Sequence, residues 1–143
     1  MQTFLPYSSF VKSAKVLDNK RLGKQRVEAW QIYLALTKRN YGWKNHPAVK
    51  MWKGHELALL AYGATICFEW INRGYNDTLL KKFLREANKQ LPKKVHLQFK
   101  PTWVGNRKFH AAHRSNLLRK DKKFYSQYGW KEKADLEYIW PTN

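Results

Sequence analysis

The stretch that most restricts the fold of this chain is residues 57–71, LALLAYGATICFEWI, which is apolar almost all round a helix and carries one charge, Glu69. A helix that is apolar on every side is buried at the centre of a protein. The run is shorter than the roughly 18 to 20 uninterrupted apolar residues that cross a membrane. The sequence therefore predicts a central buried helix with other helices packed around it, and no membrane span.

The flanking patterns predict a mainly α fold, compact and helical with long loops, in which residues 1–143 form a single domain. Strand signals are few, although a short alternation at residues 95–99 is compatible with a brief strand. Pro6 favours an extended start, and Gly23 within a helix indicates that something packs closely there. The predicted helices are Asp18 to Leu36, Pro47 to Arg73, Leu79 to Ala87, Arg107 to Arg119, and a short one that ends at Gly129. The tail is expected to pack through Tyr138, Ile139 and Trp140.

The charge balance points to a polyanionic partner. Lys and Arg number 28 against 10 Asp and Glu, a net charge of +18. Such an excess on a small domain creates a strong positive field and opposes self-association, so we expect a monomer. Nucleic acid is the first candidate partner. An anionic membrane surface is a weaker one, because no single basic amphipathic anchor is evident.

Composition excludes several other classes. The chain is 43% hydrophobic and 15% aromatic, which is too much apolar bulk for a disordered protein. Its one cysteine, Cys67, excludes an internal disulfide and a cysteine-based zinc site, and is expected to be a core residue. Residues 1–7 lack the charged start and long apolar run of a secretory signal. We expect a soluble, intracellular, cytoplasmic protein.

Glu28 is an isolated acid within the basic stretch RLGKQRVEAWQ. On a helix it shares a face with Arg21, Lys24, Gln25 and Gln31. One interpretation is a solvated face with an ordinary Lys24–Glu28 pair, worth roughly a few tenths of a kcal/mol. The other is a carboxylate held beside bound DNA, where it repels phosphates and must therefore serve chemistry instead of affinity.

Several other side chains are candidates for DNA contact. His110, His113 and Arg114 share one helical face, but with no cysteine and no acid nearby in sequence a metal site is poorly supported. Two interpretations of this segment are about equally well supported. In one, His113, Arg114 and Arg119 contact phosphates; in the other, these side chains only pack or carry surface charge. His46 lies in a polar, Gly-containing loop and is a further candidate. Aromatic and basic residues alternate in DKKFYSQYGW, residues 121–130, where most rings are expected in the core and one or two in a groove.

The chain resembles the pyrimidine-dimer DNA glycosylases, the small phage-type UV endonucleases with AP-lyase activity. The segments MQTFLP, RLGKQRVEA, NHPAVKMW and HRSNLLRKD resemble a bacterial and phage branch of that family. Similarity to the phage prototype rests on the Leu22–Glu28 spacing, on His46 or His55 before the central helix, and on the motifs NRGYND and FYSQYGW. These features span most of the chain in the right order.

The resemblance implies a helical domain that acts on double-stranded DNA without metal or cofactor. It implies that Glu28 is the catalytic glutamate and that the α-amine at the start of the chain attacks the sugar C1′. A Schiff base then forms, the base is released and β-elimination cuts the strand, with a nucleotide flipped out of the duplex. The residues expected to contact DNA are Arg21, Lys24, Gln25, Arg26, His46, His113, Arg114 and Arg119.

Two departures from the family pattern leave alternatives open. The prototype exposes a threonine amine after removal of Met, whereas a bulky Gln2 follows Met1 here, so Met1 is the expected nucleophile. The arginine expected before the glutamate is Val27. Two alternatives for the nucleophile are the amine of Lys20 or Lys24 and a water molecule activated by Glu28 in a monofunctional glycosylase. The target could also be another damaged or modified base instead of a pyrimidine dimer. An α-amine as a class deprotonates more readily than a lysine, which favours Met1. The competing function is a non-enzymatic, basic nucleic-acid-binding protein.

Overall fold

The computed structural model describes residues 1–94 and 99–141, and within them the fold is mainly helical with no β-strand. This confirms the predicted fold class. The helices are α1 (Phe10–Val16), α2 (Asn19–Thr37), α3 (Pro47–Lys50), α4 (Glu56–Asn72), α5 (Leu80–Lys94), α6 (Arg107–Lys120) and α7 (Lys122–Tyr125), followed by a 3₁₀ turn, Ser126–Tyr128.

Helix α4 lies at the centre, as its all-round apolar sequence predicts, and α1, α2 and α5 pack against it. Two glycines allow the close approaches. A Cβ on Gly63 would lie 2.2 Å from the ring of Phe83 in α5, and a Cβ on Gly23 would lie 2.9 Å from the ring of Trp70. The expectation that something packs closely on Gly23 is therefore confirmed.

The predicted helix from Pro47 to Arg73 is wrong as a single element. The chain instead forms α3, a turn and then α4. Gly54 adopts a left-handed conformation with φ of 85°, which no continuous helix contains. The turn also buries Met51 and Trp52 completely, so the interruption places two large side chains in the core.

The other helix boundaries agree to within one residue, apart from the end of α5. Asp18 caps α2 by accepting a hydrogen bond from the Arg21 N–H, one residue before the helix begins at Asn19. Helix α5 extends past its predicted end at Ala87 to Lys94. The possible strand falls largely on residues 95–98, outside the described residues. In the described part of the chain no helix has the length and apolar character of a membrane span.

Residues 130–141 form an irregular segment that packs over α6. Ser115 Oγ accepts a hydrogen bond from the Leu136 N–H at 3.0 Å, and Asn116 Nδ2 donates to the Leu136 carbonyl at 3.0 Å. Tyr138 and Trp140 pack against the core, whereas Ile139 is exposed, so two of the three expected tail contacts are confirmed.

Candidate active site

The first residues of the chain are buried although they belong to no helix or sheet. Gln2, Thr3, Phe4 and Leu5 are each at most 6% exposed. Chain termini are usually frayed, and a buried backbone must find partners for its N–H and C=O groups. Here side chains of α2, α4 and α6 supply them, and we call residues 2–6 the N-terminal strap.

Helix α2 holds the beginning of the strap. Gln25 accepts a hydrogen bond from the Phe4 N–H at 2.8 Å and donates from Nε2 to the Gln2 carbonyl at 2.7 Å. Glu28 Oε2 accepts from the Gln2 N–H at 3.1 Å and from Gln25 Nε2 at 3.1 Å. The hydroxyl of Tyr62 in α4 lies 2.8 Å from the Phe4 carbonyl oxygen. These contacts hold the backbone in place from Gln2 onward, which is the residue directly after Met1.

Helix α6 holds the end of the strap through two histidines. His113 Nδ1 accepts from the Leu5 N–H at 2.9 Å, and His110 Nδ1 lies 2.8 Å from the Leu5 carbonyl oxygen. His110 Nε2 accepts from the Gly105 N–H at 2.8 Å, so the His110 proton sits on Nδ1 and is donated to Leu5. Arg114 donates to the Pro6 carbonyl at 2.7 Å.

Met1 and Glu28 line the same cleft, which has a volume of about 360 Å³. Glu28 is the one carboxylate among the residues that line it, and it is 9% exposed. Lys24 Nζ lies 3.7 Å from Glu28 Oε1, but its side chain is 71% exposed, so solvent weakens this pair. The remaining lining residues are mainly basic or polar: Gln2, Phe4, Lys20, Arg21, Lys24, Gln25, Lys120 and Tyr138.

The cleft therefore joins a buried acid to a cationic rim. Burial lowers the pKa of Lys120, and the neighbouring cations Arg21, Arg119 and Lys24 lower it further. His46 also lies in reach of the cleft. Burial lowers the pKa of His46, the positive N-terminal amine lowers it too, and the Glu28 charge acts in the opposite direction. The ring of His46 is 6.0 Å from that of Trp140.

Four of the eight residues expected to contact DNA keep positions compatible with that role. Arg21 and Lys24 line the cleft, Arg119 is exposed at the end of α6, and the charge of the N-terminal amine acts on His46. Their contact with DNA remains a prediction.

The other four are held by partners within the protein, and their contact with DNA likewise remains a prediction. Gln25 is 1% exposed and His113 is 0% exposed, and both hold the strap. Arg26 forms a largely buried ion pair with Asp77 at 2.6 Å. Arg114 is bound by Pro6 and by Glu132 at 2.9 Å. A helical face drawn from the sequence shows spacing only. In the fold Gln25, His113 and Arg114 contact the strap, whereas Arg26 contacts Asp77.

Three residues that sequence reasoning did not select also belong to the site. Lys120 directly follows Arg119 in a basic run, and that position could have identified it as a candidate for DNA contact. Tyr62 lies in the apolar central helix, where a tyrosine reads as core, and Tyr138 lies in the irregular tail. Neither tyrosine carries a local signal. In the described segments no three His, Cys, Asp or Glu side chains are grouped as a metal site.

The burial of His113 predicts a pH-dependent stability. Burial lowers the pKa of His113 to about 3, against about 6.5 in an unfolded chain. Between these values the unfolded chain binds a proton that the folded protein does not bind. The free energy of unfolding should therefore fall as pH falls below about 6.5, by up to roughly 1.4 kcal/mol per pH unit from this one group.

Urea denaturation at pH 7, 6, 5 and 4 measures that slope. His113→Asn keeps an acceptor for the Leu5 N–H but does not titrate, so its slope should be shallower. His110, whose pKa is also lowered, leaves a residual slope. Equal slopes in the two proteins would contradict the prediction.

One family of known proteins matches this chain. The sequence profile described as pyrimidine dimer DNA glycosylase matches residues 1–83 of the 143, a range that includes Met1, Glu28 and His46. No curated protein and no solved structure matches the chain.

Proposed function

Because the chain belongs to the pyrimidine dimer DNA glycosylase family, we propose that it removes a damaged pyrimidine from double-stranded DNA and then cuts the strand as an AP lyase. The target is most simply a pyrimidine dimer. One observation supports the mechanism above the others. The Glu28 carboxylate accepts the Gln2 N–H at 3.1 Å, in a basic cleft that Met1 lines.

In the proposed reaction the α-amine of Met1 attacks C1′ of the damaged nucleotide. The N–C1′ bond forms as the glycosidic bond breaks, and the base leaves with the electron pair of that bond and takes up a proton. The sugar develops positive charge in this step, and the proposed role of the buried Glu28 carboxylate is to stabilise that charge. Ring opening then gives a Schiff base between the amine nitrogen and C1′.

The lyase step removes a proton from C2′ and breaks the C3′–O bond, which releases a 5′-phosphorylated strand. Glu28 is suited to accept that proton, because it is the one carboxylate among the described residues that line the cleft. The other lining residues are cationic or neutral. The Arg21, Lys24 and Lys120 side chains supply positive charge for the flanking phosphates. We propose that the protein acts as a monomer, since its net charge opposes association of copies.

The test uses matched duplexes that carry an abasic site, a thymine dimer, uracil or 5-hydroxymethyluracil. Base release and strand cutting are measured separately, and borohydride is added to a parallel set. On the dimer duplex we expect cutting and cleavage of one glycosidic bond, read as free thymine after photoreversal, because the cyclobutane ring still joins that base to its neighbour. On the abasic duplex we expect cutting alone, and with borohydride a covalent protein–DNA adduct. Release without cutting would indicate a monofunctional glycosylase. Binding without either reaction would favour a non-enzymatic DNA-binding protein.

A further inference from the structure

Trp43 is a large aromatic residue held on the surface of the loop between α2 and α3. Its side chain is 60% exposed, the highest fraction among the large apolar residues of the described chain. Its backbone has φ of 72°, and among the described residues it is the one non-glycine residue with positive φ. That conformation is unfavourable for a bulky residue, and such positions concentrate at binding sites.

The position of Trp43 is fixed through His46. The His46 N–H donates to the Trp43 carbonyl at 2.9 Å, which closes the turn. His46 Nδ1 in turn accepts from the Ala48 N–H at 3.0 Å and so caps α3. The Trp43 and His46 rings are 6.0 Å apart at 67°. The turn therefore presents the indole from a fixed base.

The same histidine connects Trp43 to the cleft. The charges of the N-terminal amine and of Glu28 both act on His46. On its other side His46 contacts Trp140, whose ring is 5.5 Å from that of Tyr138 in the cleft lining. A row of rings thus leads from the cleft to the exposed indole.

The surroundings of Trp43 are cationic. Lys38, Arg39 and Lys44 in the same loop are exposed, and Lys44 Nζ donates to the Arg39 carbonyl. An exposed aromatic ring among cations suits an unstacked nucleobase, because the ring stacks on the base while the cations bind its phosphates. A hydrophobic protein partner would face the repulsion and desolvation of these charges.

From this arrangement we propose that Trp43 is a stacking site for a single nucleobase displaced from the duplex at or beside the reacting nucleotide. The inference rests on the proposed function, since it requires that the protein opens damaged DNA. It adds a specificity residue on the loop between α2 and α3, outside the strap and the Glu28 cleft. The stack makes distorted duplexes bind better than intact ones.

The first experiment compares binding of a duplex with a tetrahydrofuran abasic analogue and of the undamaged duplex. Trp43→Ala should weaken binding of the abasic duplex by roughly 5- to 150-fold, the loss that corresponds to one base–aromatic stack. Binding of undamaged DNA should change less than about twofold, because the phosphate contacts that dominate it are kept. Trp43→Phe should retain most of the preference.

Phe68→Ala is the matched control, because Phe68 is 56% exposed and lines a separate groove between α1 and α4. It should leave both affinities unchanged. The midpoints of thermal unfolding of all three variants should match the wild type, which shows that the loss is not one of folding.

A second experiment locates the base directly. 5-Iododeoxyuridine is placed opposite the abasic analogue, beside it, or one helical turn away, and the crosslinked peptide is identified by mass spectrometry after irradiation. We expect a crosslink to Trp43 from one of the two near positions and none from the distant one.

The outcomes separate the two proposals. If the wild-type protein shows no preference for the abasic duplex, that result contradicts both the proposed function and this inference. A wild-type preference that Trp43→Ala leaves intact, with crosslinks only to other residues, overturns the inference and leaves the glycosylase proposal standing. Crosslinks or affinity losses at Phe68 would also count against Trp43.

Discussion

Glu28→Gln should lower turnover on abasic and dimer-containing duplexes by about 10²- to 10⁴-fold, the usual contribution of a positioned acid–base group. The amide keeps an oxygen that can accept the Gln2 N–H, so the strap should remain in place. It carries no negative charge to stabilise the sugar cation, and it cannot accept the C2′ proton. DNA binding should be equal or tighter, because a charge that repels phosphates has been removed from the cleft.

The matched control is Glu69→Gln. The Glu69 side chain is 12% exposed and pairs with Arg73 four residues along α4 at 3.9 Å, whereas that of Glu28 is 11% exposed and pairs with Lys24 four residues before it at 3.7 Å. The two substitutions therefore remove carboxylates of similar burial, each paired with a cation four residues away, although Lys24 is more exposed than Arg73. Single-turnover rates and affinities at fixed salt measure both. Equal losses in the two variants would show that Glu28 acts through charge or folding alone.

The helices were predictable because their signals are local. An apolar run such as α4 must be buried whatever surrounds it, and Asp18 caps α2 through its own sequence neighbours. The break between α3 and α4 was missed because Pro47 reads as a helix start and the left-handed Gly54 reads as a tolerated glycine within the helix. Local patterns do not reveal that burial of Trp52 and Met51 favours a turn there.

The site divides in the same way. The isolated acid in a basic stretch identified Glu28 as unusual, and the structure places it beside the strap. The strap itself was not predictable, because its partners are 21 to 108 residues away in sequence, as with Phe4–Gln25 and Leu5–His113. Gln25 and His113 therefore read as surface polar residues. Only the folded chain shows that they satisfy a buried backbone.

Acetylation of the α-amine should abolish the borohydride adduct while leaving binding of abasic DNA intact. The proposed Schiff base needs a free amine at the start of the chain, and an acetylated nitrogen no longer acts as a nucleophile. Mild acylation near neutral pH is selective for the terminus, because α-amines have pKa values near 8 and lysines near 10.4. In the unmodified protein, tandem mass spectrometry should assign the adduct to the N-terminal peptide.

The mass of that peptide also identifies which residue carries the amine. With Met1 retained, the nucleophile is one residue from the N–H that Glu28 binds. With Met1 removed, the amine of Gln2 would itself lie 3.1 Å from Glu28 Oε2. With either start the first residue belongs to the cleft that Glu28 lines, because side chains of α2, α4 and α6 fix the strap in place. The result that would exclude a terminal nucleophile is an adduct on a lysine.

Lys120 is the lysine that makes this test demanding. It lines the cleft with Glu28, and partial desolvation together with the charges of Arg21, Arg119 and Lys24 lowers its pKa, a shift that favours the neutral amine. Lys120→Gln, with Lys20→Gln and Lys24→Gln as controls, should weaken DNA binding through loss of a phosphate contact but still give the adduct. If Lys120→Gln alone removes the adduct and acetylation of the terminus does not, the lyase amine belongs to α6 and the strap only positions Glu28.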